Sequence, residues 1–398
     1  MRNYFIDTRL DSDNIRNYNH YYQRGVGYRL PLLIYNLNRQ EANNIMEIKI
    51  TKNPNPAPPL DESKLGFGVK FTDHMFIMDY TEGKGWHDAR IVPYGDIALS
   101  PAATVFHYGL EIFEGMKAYR TPDGSVQLFR PTENIKRMNN SALRLTLPTL
   151  DEEDALQAIT TFVKTDERFV PSAEGTSLYI RPFMFGCEPN LGLHKVKDVK
   201  FMIIASPSGS YYDEGIDPVS IMIETEDVRA VRGGTGYTKC GGNYAAANRA
   251  GEKAEQLGYT QVLWLDGVER KYIEEVGSMN VMFKINGKII TPDLIGTVLP
   301  GVTRKSIIEM LKSEGYEIEE RRISVDEVIS ALENGTLEEA WGCGTAAVVS
   351  PIGKLVYKGK EYVINNGKTG ALTSRVYDEL TGIQWGTKPD KFGWTLKV

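Results

Sequence analysis

Short apolar runs and longer amphipathic segments alternate along most of the chain, which predicts a mixed α/β protein. In the first half, the pattern predicts strands at about 67–80, 125–130, 178–184 and 199–205, and helices at about 102–111, from Pro131 and from Asp151. In the second half, it predicts strands at 261–266, 280–285 and 288–291, and helices at about 244–257, from Val302 and at about 325–333. Asn286-Gly287 is a strong hairpin signal between two of these strands.

A stretch rich in Ser, Gly and Tyr at 206–215 separates the two halves. We predict a small N-terminal α/β domain at 46–206, an interdomain linker at 207–225 and a large C-terminal domain at 226–398, since 398 residues are too many for one ordinary core. Residues 1–45 are rich in Asn, Tyr and Arg and carry no periodicity. We interpret them as a disordered extension or a mis-assigned start preceding Met46.

Composition excludes several classes of protein. The formal net charge is 46 − 52 = −6, and no basic block is present, which argues against nucleic acid or anionic membrane as a partner. Cys187, Cys240 and Cys343 lie far apart, so neither a disulfide framework nor a thiolate metal site is expected. No apolar run is long enough to span a bilayer, and the first residues lack a secretory signal. The sequence therefore predicts a cytoplasmic protein without a metal site.

The most unusual local feature is a lysine between two glycine clusters, in Gly233-Gly-Thr-Gly-Tyr-Thr-Lys239-Cys-Gly-Gly-Asn243-Tyr244. Glycines let the backbone approach a ligand closely. A lysine in a low-dielectric site loses its proton more easily and can attack an aldehyde to form a Schiff base. The alternative is a solvated loop lysine, which is the usual environment of this residue type.

A second segment supplies an acid that suits the same chemistry. Glu275 stands beside Gly277-Ser278, between strand-like segments. A carboxylate can keep the nitrogen of a pyridine cofactor protonated, and a Gly-Ser turn can offer N–H groups and a hydroxyl to a phosphate. The alternative is a surface hairpin that carries acids.

Two further turns are candidate anion sites. Pro300-Gly301 precedes the helix predicted from Val302, whose first N–H groups would be free. Gly342-x-Gly344-x-x-Ala347 formally matches a dinucleotide-binding pattern, but Ser350-Pro351 excludes the long helix that should follow. An anion-binding turn is the better interpretation of this segment.

Together and in this order, these segments resemble the branched-chain amino acid aminotransferases, pyridoxal-phosphate enzymes of fold type IV. The resemblance covers about 55–398 and none of 1–45. It rests on Phe71-Thr-Asp-His-Met75, Phe113-Glu-Gly-Met-Lys-Ala-Tyr119, Leu128-Phe-Arg-Pro131 with Arg137-Met138, Tyr179-Ile-Arg181-Pro182, Lys239-Cys-Gly-Gly-Asn-Tyr244, Glu275-Val-Gly-Ser-Met-Asn280, Leu299-Pro-Gly301 and Gly344-Thr-Ala346.

The resemblance implies an α/β architecture of fold type IV, with the active site between two domains and pyridoxal 5'-phosphate as cofactor. It implies that Lys239 is the Schiff-base lysine and moves the Cα proton, that Glu275 pairs with the pyridine nitrogen, and that Tyr244 contacts the phenolic oxygen. The other implied cofactor contacts are Arg137, Gly277, Ser278, Val302, Thr303 and Thr345. The implied substrate contacts are Phe67, Tyr108, Phe113, Tyr179, Arg181, Thr345 and Ala346.

The implied activity is ping-pong transfer of an amino group between L-leucine, L-isoleucine or L-valine and 2-oxoglutarate. Aromatic walls suit a branched alkyl group, while Arg181 with Tyr108 would accept the distal carboxylate of glutamate. The partners implied are these small molecules and a second copy of the chain in a homodimer. Animal members carry CxxC after Gly-Thr-Ala as a redox switch, whereas this chain has Ala347-Val-Val-Ser350, so thiol regulation there is not expected.

Four alternatives stay open at this point. A D-amino-acid transaminase and an aminodeoxychorismate lyase share the fold but act on other substrates. A nucleotide-binding oxidoreductase would use the Gly342 pattern and bind NAD(P)H. In a pure binding module, Lys239 would have no catalytic role. Independently of these alternatives, Phe67, Phe113 and Tyr179, taken one at a time, could be ordinary core residues.

Overall fold

Two mixed β-sheets carry most of the chain, one built mainly before residue 209 and the other after residue 216. The computed structural model describes residues 45–209 and 216–398, and Glu47–Val398 form one compact unit. The extension predicted at 1–45 lies, apart from Ile45, outside the described residues, as does the 210–215 part of the predicted linker.

The first sheet is mostly antiparallel. Its strands are β1 Lys49–Ile50, β2 His74–Thr81, β3 Gly85–Pro93, β4 Glu111–Phe113, β5 Met116–Arg120, β6 Val126–Phe129, β7 Ser177–Gly186, β8 Asp198–Ser208 and β18 Thr395–Lys397. They are ordered β1-β3-β2-β8-β7-β5-β6-β18, with β4 paired to β7. Among the described residues of this sheet, only the β1–β3 pair is parallel. The helices of this half are α1 Thr104–Tyr108, α2 Pro131–Arg144 and α3 Glu152–Thr165.

The second sheet contains more parallel pairs. Its strands are β9 Val219–Ile223, β10 Gln261–Leu265, β11 Ile273–Val276, β12 Asn280–Ile285, β13 Lys288–Thr291, β14 Ile318–Glu320, β15 Leu337–Gly344, β16 Val348–Tyr357 and β17 Lys360–Val363. The order is β11-β10-β9-β16-β15-β12-β13-β14, with β17 paired to β16. The helices are α4 Gly241–Ala245, α5 Asn248–Gln256, α6 Val302–Ser313, α7 Val325–Glu333 and α8 Ala371–Gln384.

Several predicted elements are confirmed by the structure. The hairpin strands β12 and β13 and the helix α7 have the predicted bounds, and α2 begins at Pro131. Asp151 caps α3 as its side chain accepts hydrogen bonds from the N–H groups of Glu153 and Asp154. These segments were predictable since local signals, namely a turn pair, a cap and Pro at a helix start, define their ends.

Three predicted elements differ from the structure. The strand predicted at about 67–80 begins only at His74, because Gly66 and Gly68 adopt positive φ and interrupt the extended backbone. The helix predicted at about 102–111 is the shorter α1. The helix predicted at 244–257 is two helices, α4 and α5, because the N–H of Ala247 bonds to the carbonyl of Tyr244 in a tighter, 3₁₀-type turn.

The two sheets correspond broadly to the two halves predicted from the sequence, except that β18 joins the first sheet through β6. The predicted boundaries at 206 and 226 stay a prediction, because 47–398 form a single unit. Within the described residues, no helix is both long and apolar enough to cross a membrane.

The pairing of β15 with β12 and β16 positions one side of the site described below. Asn280 at the start of β12 pairs with Cys343 near the end of β15, so these two strand ends lie together. The turn between β15 and β16 follows directly, and its register is set by Gly344 opposite Val348. Buried apolar side chains such as Trp341 and Val281, both without solvent exposure, fix this arrangement.

Asp266 fixes the loop between β10 and β11, the strand that carries Glu275. The carboxylate of Asp266 accepts hydrogen bonds from the N–H groups of Val268, Glu269, Lys271 and Tyr272 at 2.8–3.2 Å. Burial raises the pKa of the Asp266 carboxyl, but these backbone donors outweigh burial and lower the pKa to about 2.

We expect Asp266→Asn to lower the free energy of unfolding by about 1–3 kcal/mol at neutral pH, because one amide oxygen replaces a carboxylate shared by four donors. The folded-state pKa lies below the ordinary 3.8, so this stabilisation is present above about pH 4 and disappears as the pH falls through 2. The measurement is the Tm of both proteins at pH 7 and between pH 4 and 2. Asp326→Asn, at an exposed position of α7, is the control. A Tm difference independent of pH would contradict this account.

Candidate active site

A cavity of about 350 Å³ gathers most of the residues that the sequence predicted for the site. All of them line it except Gly277 and Tyr108: Phe67, Phe113, Arg137, Tyr179, Arg181, Lys239, Tyr244, Glu275, Ser278, Val302, Thr303, Thr345 and Ala346. The residues come from both halves of the chain. Segments far apart in sequence therefore meet around one space of the size of a small-molecule site.

Lys239 lies in the loop before α4, with its amine inside the cavity. The Nζ atom is 2.7 Å from the hydroxyl of Tyr244, the fourth residue of α4. The ring of Phe113 lies 4.8 Å from the same nitrogen. No carboxylate forms an ion pair with this amine among the described residues. The amine is thus held by a hydroxyl and an aromatic face, and neither removes its capacity to react.

The backbone of Lys239 is held from the first half of the chain. Its N–H donates to the Oγ of Ser141 at 3.0 Å, and its carbonyl accepts the N–H of Phe113 at 2.9 Å. The preceding loop is fixed by Asn243, whose amide donates to the carbonyls of Thr235 and Thr238 at 2.8 and 2.9 Å. These bonds hold the backbone of this segment in place, while the side chain of Lys239 lines the cavity.

Glu275 is fully enclosed on β11, with 2% of its surface exposed. One carboxylate oxygen accepts the N–H of Leu299 at 2.6 Å, and the other pairs with the guanidinium of Arg229 at 3.0 Å. Burial raises the pKa of the Glu275 carboxyl above its usual range, against the opposing effects of Arg229 and the Leu299 N–H. A ligand with a basic ring nitrogen would therefore contact a Glu275 carboxyl that is rigidly held and desolvated.

Arg137, on α2, is held by a second buried carboxylate. Its Nε and Nη2 atoms each donate at 2.8 Å to the two oxygens of Glu114, and its Nη1 donates to the carbonyl of Pro300 at 3.2 Å. Burial raises the pKa of Glu114, but the guanidinium more than offsets burial and holds that pKa below its usual range. This bidentate pair fixes the position of a cation at the cavity wall.

The N-terminus of α6 points its free amides at the same wall. Gly301 precedes the helix without any side-chain cap, and both Val302 and Thr303 line the cavity. A Cβ at Gly301 would lie 2.0 Å from the Oδ1 of Asn280, so only glycine permits this close approach. Uncapped helix N–H groups beside Arg137 form a site for an anionic group such as a phosphate.

Aromatic rings and one arginine line the opposite side. Phe67 and Tyr179 pack edge to face with their ring centroids 5.0 Å apart. The guanidinium of Arg181 lies 4.7 Å from the Phe113 ring and donates to the Tyr179 hydroxyl at 3.1 Å, while its buried Nε has no partner among the described residues. This side combines apolar walls with an unused donor.

Two predicted site residues are placed elsewhere. Tyr108, on α1, is 38% exposed and its hydroxyl donates to the carbonyl of Leu191. Gly277 is next to Ser278, but it lines an adjoining groove that shares Tyr244 and Ser278 with the cavity, and its carbonyl accepts the indole N–H of Trp264 at 2.9 Å. The substrate role of Tyr108 and the cofactor role of Gly277 stay predictions.

Sequence reasoning missed the residues that support the site from behind. Glu114, Arg229, Ser141 and Asn243 received no role, although the first three hold Arg137, Glu275 and Lys239 in place. The Glu114–Arg137 pair spans 23 residues and the Arg229–Glu275 pair spans 46 residues, so no local spacing joins the partners. A buried carboxylate next to a candidate cation is a signal that only the tertiary structure provides.

The 342–347 segment is a strand followed by a turn and another strand, β15 to β16. It therefore lacks the helix that a dinucleotide-binding turn requires, as inferred from Ser350-Pro351. Cys343 lines the cavity, and burial raises the pKa of its thiol to about 12, so the thiol stays protonated at neutral pH.

Comparisons with known proteins agree on the family of this chain. The sequence pattern of the family described as amino-transferase class IV matches residues 111–355. Branched-chain-amino-acid aminotransferase 2 of Bacillus subtilis (strain 168) is 53% identical over 353 residues, which are 89% of this chain and 96% of that protein. The chain belongs to the branched-chain-amino-acid aminotransferase family of class IV. The resemblance predicted from the motifs is thereby confirmed, and this aminotransferase is an enzyme.

Other relatives extend the agreement to structure. The probable branched-chain-amino-acid aminotransferase of Staphylococcus aureus (strain MRSA252) is 56% identical over 339 residues, covering 85% of this aminotransferase and 94% of that protein. The crystal structure of the T.th. branched-chain amino acid aminotransferase with pyridoxamine 5'-phosphate has a TM-score of 0.66 and 26% identity, over 84% of this chain and 98% of that chain. The predicted α/β architecture of fold type IV is confirmed.

The contact between Gly115 and Tyr179 makes the aminotransferase sensitive to a single methyl group. A Cβ at Gly115, whose own position lines the cavity, would lie 2.2 Å from the Tyr179 hydroxyl. Gly115→Ala should therefore displace Tyr179 and reduce kcat/KM for the amino-acid substrate by about 10–200-fold, the range for one misplaced methyl group in an apolar pocket.

Steady-state kinetics with L-leucine measures this effect. Gly251→Ala is the matched control, since a Cβ there would meet nothing within 4 Å. Equal kinetics in both variants would show that Tyr179 adjusts without loss.

Proposed function

We propose that this aminotransferase transfers the amino group between L-leucine, L-isoleucine or L-valine and 2-oxoglutarate, with pyridoxal 5'-phosphate as its cofactor. The family and the names of its relatives support the reaction class and the branched-chain substrates. The same comparisons do not favour a D-amino-acid transaminase or an aminodeoxychorismate lyase. The choice of 2-oxoglutarate rests on the resemblance and on Arg181.

The residues around the cavity fit the phosphate and the pyridine nitrogen of pyridoxal 5'-phosphate. Arg137 and the uncapped α6 amides of Val302 and Thr303 would hold the phosphate. Glu275 would hold a proton on the pyridine nitrogen, since it is the buried acid of the cavity wall. Ser278, Thr345 and Gly277 remain as proposed additional cofactor contacts.

The bound cofactor supplies an electron sink for negative charge that develops at the substrate Cα. Lys239 would hold the cofactor through its amine and then, once displaced by the substrate amine, move the proton at Cα. Tyr244, 2.7 Å from that amine, would orient it and contact the phenolic oxygen of the cofactor. Arg229 holds Glu275 in place, and Glu114 holds Arg137.

The substrate side accommodates two unlike side chains. Phe67, Phe113 and Tyr179 present apolar surface to a branched alkyl group. Arg181 would bind the distal carboxylate of glutamate through donors that have no carboxylate partner among the described residues. The guanidinium of Arg181 lies against two aromatic rings, and these contacts stabilise its charge when an alkyl side chain occupies the pocket.

The single observation that carries the proposal is the Lys239 amine, 2.7 Å from Tyr244, in the cavity that Glu275, Arg137 and the α6 N-terminus also line. The test is the visible spectrum of the purified protein. We expect an absorbance of the bound cofactor that L-leucine alone changes and that 2-oxoglutarate then restores.

Three outcomes separate the alternatives. A spectrum that responds to D-alanine but not to L-leucine would indicate a D-amino-acid transaminase. Pyruvate released from aminodeoxychorismate would indicate the lyase. NAD(P)H binding without cofactor absorbance would indicate the oxidoreductase. The homodimer stays a prediction of the resemblance, and the cytoplasmic location stays a prediction from the sequence.

A further inference from the structure

Lys117 is a buried lysine next to the cavity that none of the roles above includes. It lies on β5, opposite Tyr179 of β7, and 8% of its surface is exposed. Neighbouring residues on paired strands face the same side of a sheet, and Tyr179 lines the cavity. Lys117 therefore lies on the side of the first sheet that faces the substrate.

The amine of Lys117 has an unusual environment. Its Nζ donates to the carbonyl of Ala346 at 2.7 Å, and no carboxylate in the described parts of the chain forms an ion pair with it. Burial lowers the pKa of Lys117 to about 8. A buried ammonium without a counter-ion is costly, so an anion that binds nearby would compensate it.

The turn that Lys117 contacts is built to receive an anion. Thr345, Ala346 and Ala347 line the cavity and connect β15 to β16. Their backbone N–H groups have no hydrogen-bond partner in the part of the chain that the structure describes. Successive free N–H groups form a concave site for a carboxylate.

The turn also needs support from outside. Val348, which ends it, has φ +61°, a region that β-branched residues rarely adopt. Such backbone persists only where its surroundings hold it in place. The Lys117–Ala346 bond joins the turn to the first sheet across 229 residues of sequence. In the trans peptide that joins Ala346 to Ala347, the N–H of Ala347 points opposite to this carbonyl.

We propose that Lys117 is the positioning residue of the substrate carboxylate site: its ammonium fixes the Thr345–Ala347 turn and supplies the positive charge that a carboxylate on that turn requires. The proposal rests on the proposed function in one respect, namely that an amino acid or 2-oxo acid presents its α-carboxylate to this turn. It assigns to the chain a cation that acts on the ligand through the turn without touching it.

The test compares a charged ligand with a neutral one of the same shape. 4-Methylvaleric acid and 4-methylvaleramide are titrated into the protein loaded with pyridoxal 5'-phosphate, and calorimetry gives both dissociation constants. The affinity ratio of acid to amide should fall roughly tenfold in Lys117→Met, the order expected for removing one charge several ångström away in a protein interior. Lys117→Arg, which keeps the charge, should retain most of the ratio.

The ratio distinguishes this role from a purely structural one, which would weaken both ligands alike. An unchanged ratio in Lys117→Met would overturn the proposal. If that variant does not fold, Lys117→Gln provides the same measurement. Failure of the proposed function is seen separately, because the wild-type protein would then fail to transaminate L-leucine whatever the ratio is.

Discussion

Lys239→Ala should lose transamination by at least about four orders of magnitude, because the nucleophile and the proton carrier are one amine. The structure places this amine against Tyr244 and Phe113, and none of the other described residues lining the cavity carries an amine. The remaining cavity should still bind pyridoxal 5'-phosphate through Arg137 and α6. The measurement combines single-turnover kinetics with L-leucine and the absorbance of the bound cofactor.

The control for this result is Lys312→Ala, which removes an exposed lysine near the far end of α6. It should retain wild-type kinetics. Near-normal turnover in Lys239→Ala would remove the lysine from the mechanism. Loss of cofactor binding together with activity would instead show that the covalent bond to residue 239 provides most of the cofactor affinity.

Glu275→Gln should reduce kcat on the order of 10²-fold, the usual effect of removing one preorganised electrostatic group. The amide has nearly the same shape but cannot hold a proton on the pyridine nitrogen. It also leaves the buried guanidinium of Arg229, 3.0 Å away, without its counter-ion. Cofactor binding should persist, so the loss should be in kcat and not in cofactor occupancy.

Glu274→Gln is a matched control, because Glu274 is the adjacent buried acid of β11 and points to the opposite side of that strand. Only the Glu275 variant should slow the reaction. Equal rates for the two variants would exclude an electrostatic role for Glu275.

The residues that face the ligand could be identified from the sequence, but the residues that support them could not. Lys239, Glu275 and Gly301 stand in glycine-containing segments where the backbone must approach a ligand, and that requirement leaves a local pattern. Glu114 and Arg229 form ion pairs with residues 23 and 46 positions away, and Lys117 donates to a carbonyl 229 positions away. Contacts of this kind depend on the sheet order, which hydrophobic periodicity does not determine.

The same contrast between local and long-range determinants explains which helices and strands could be predicted. Helix α7 and the β12–β13 hairpin could be predicted because caps and turn residues mark their ends. The break between α4 and α5 could not be predicted, because Ala245–Ala247 are good helix formers and no residue there signals an interruption. It occurs just after Tyr244, whose carbonyl accepts the N–H of Ala247 and whose hydroxyl contacts the Lys239 amine.

The separation of the site's components along the chain has a consequence for synthesis on the ribosome. The hydrogen bond between Lys117 and Ala346 closes a loop of 229 residues, and the backbone of Lys239 is bonded to Phe113 and Ser141. Long-range closures of this kind are late events. A nascent chain therefore cannot complete the cavity until the β15–β16 turn has emerged from the exit tunnel, so a ligand that needs the whole cavity binds only after this segment has been synthesised.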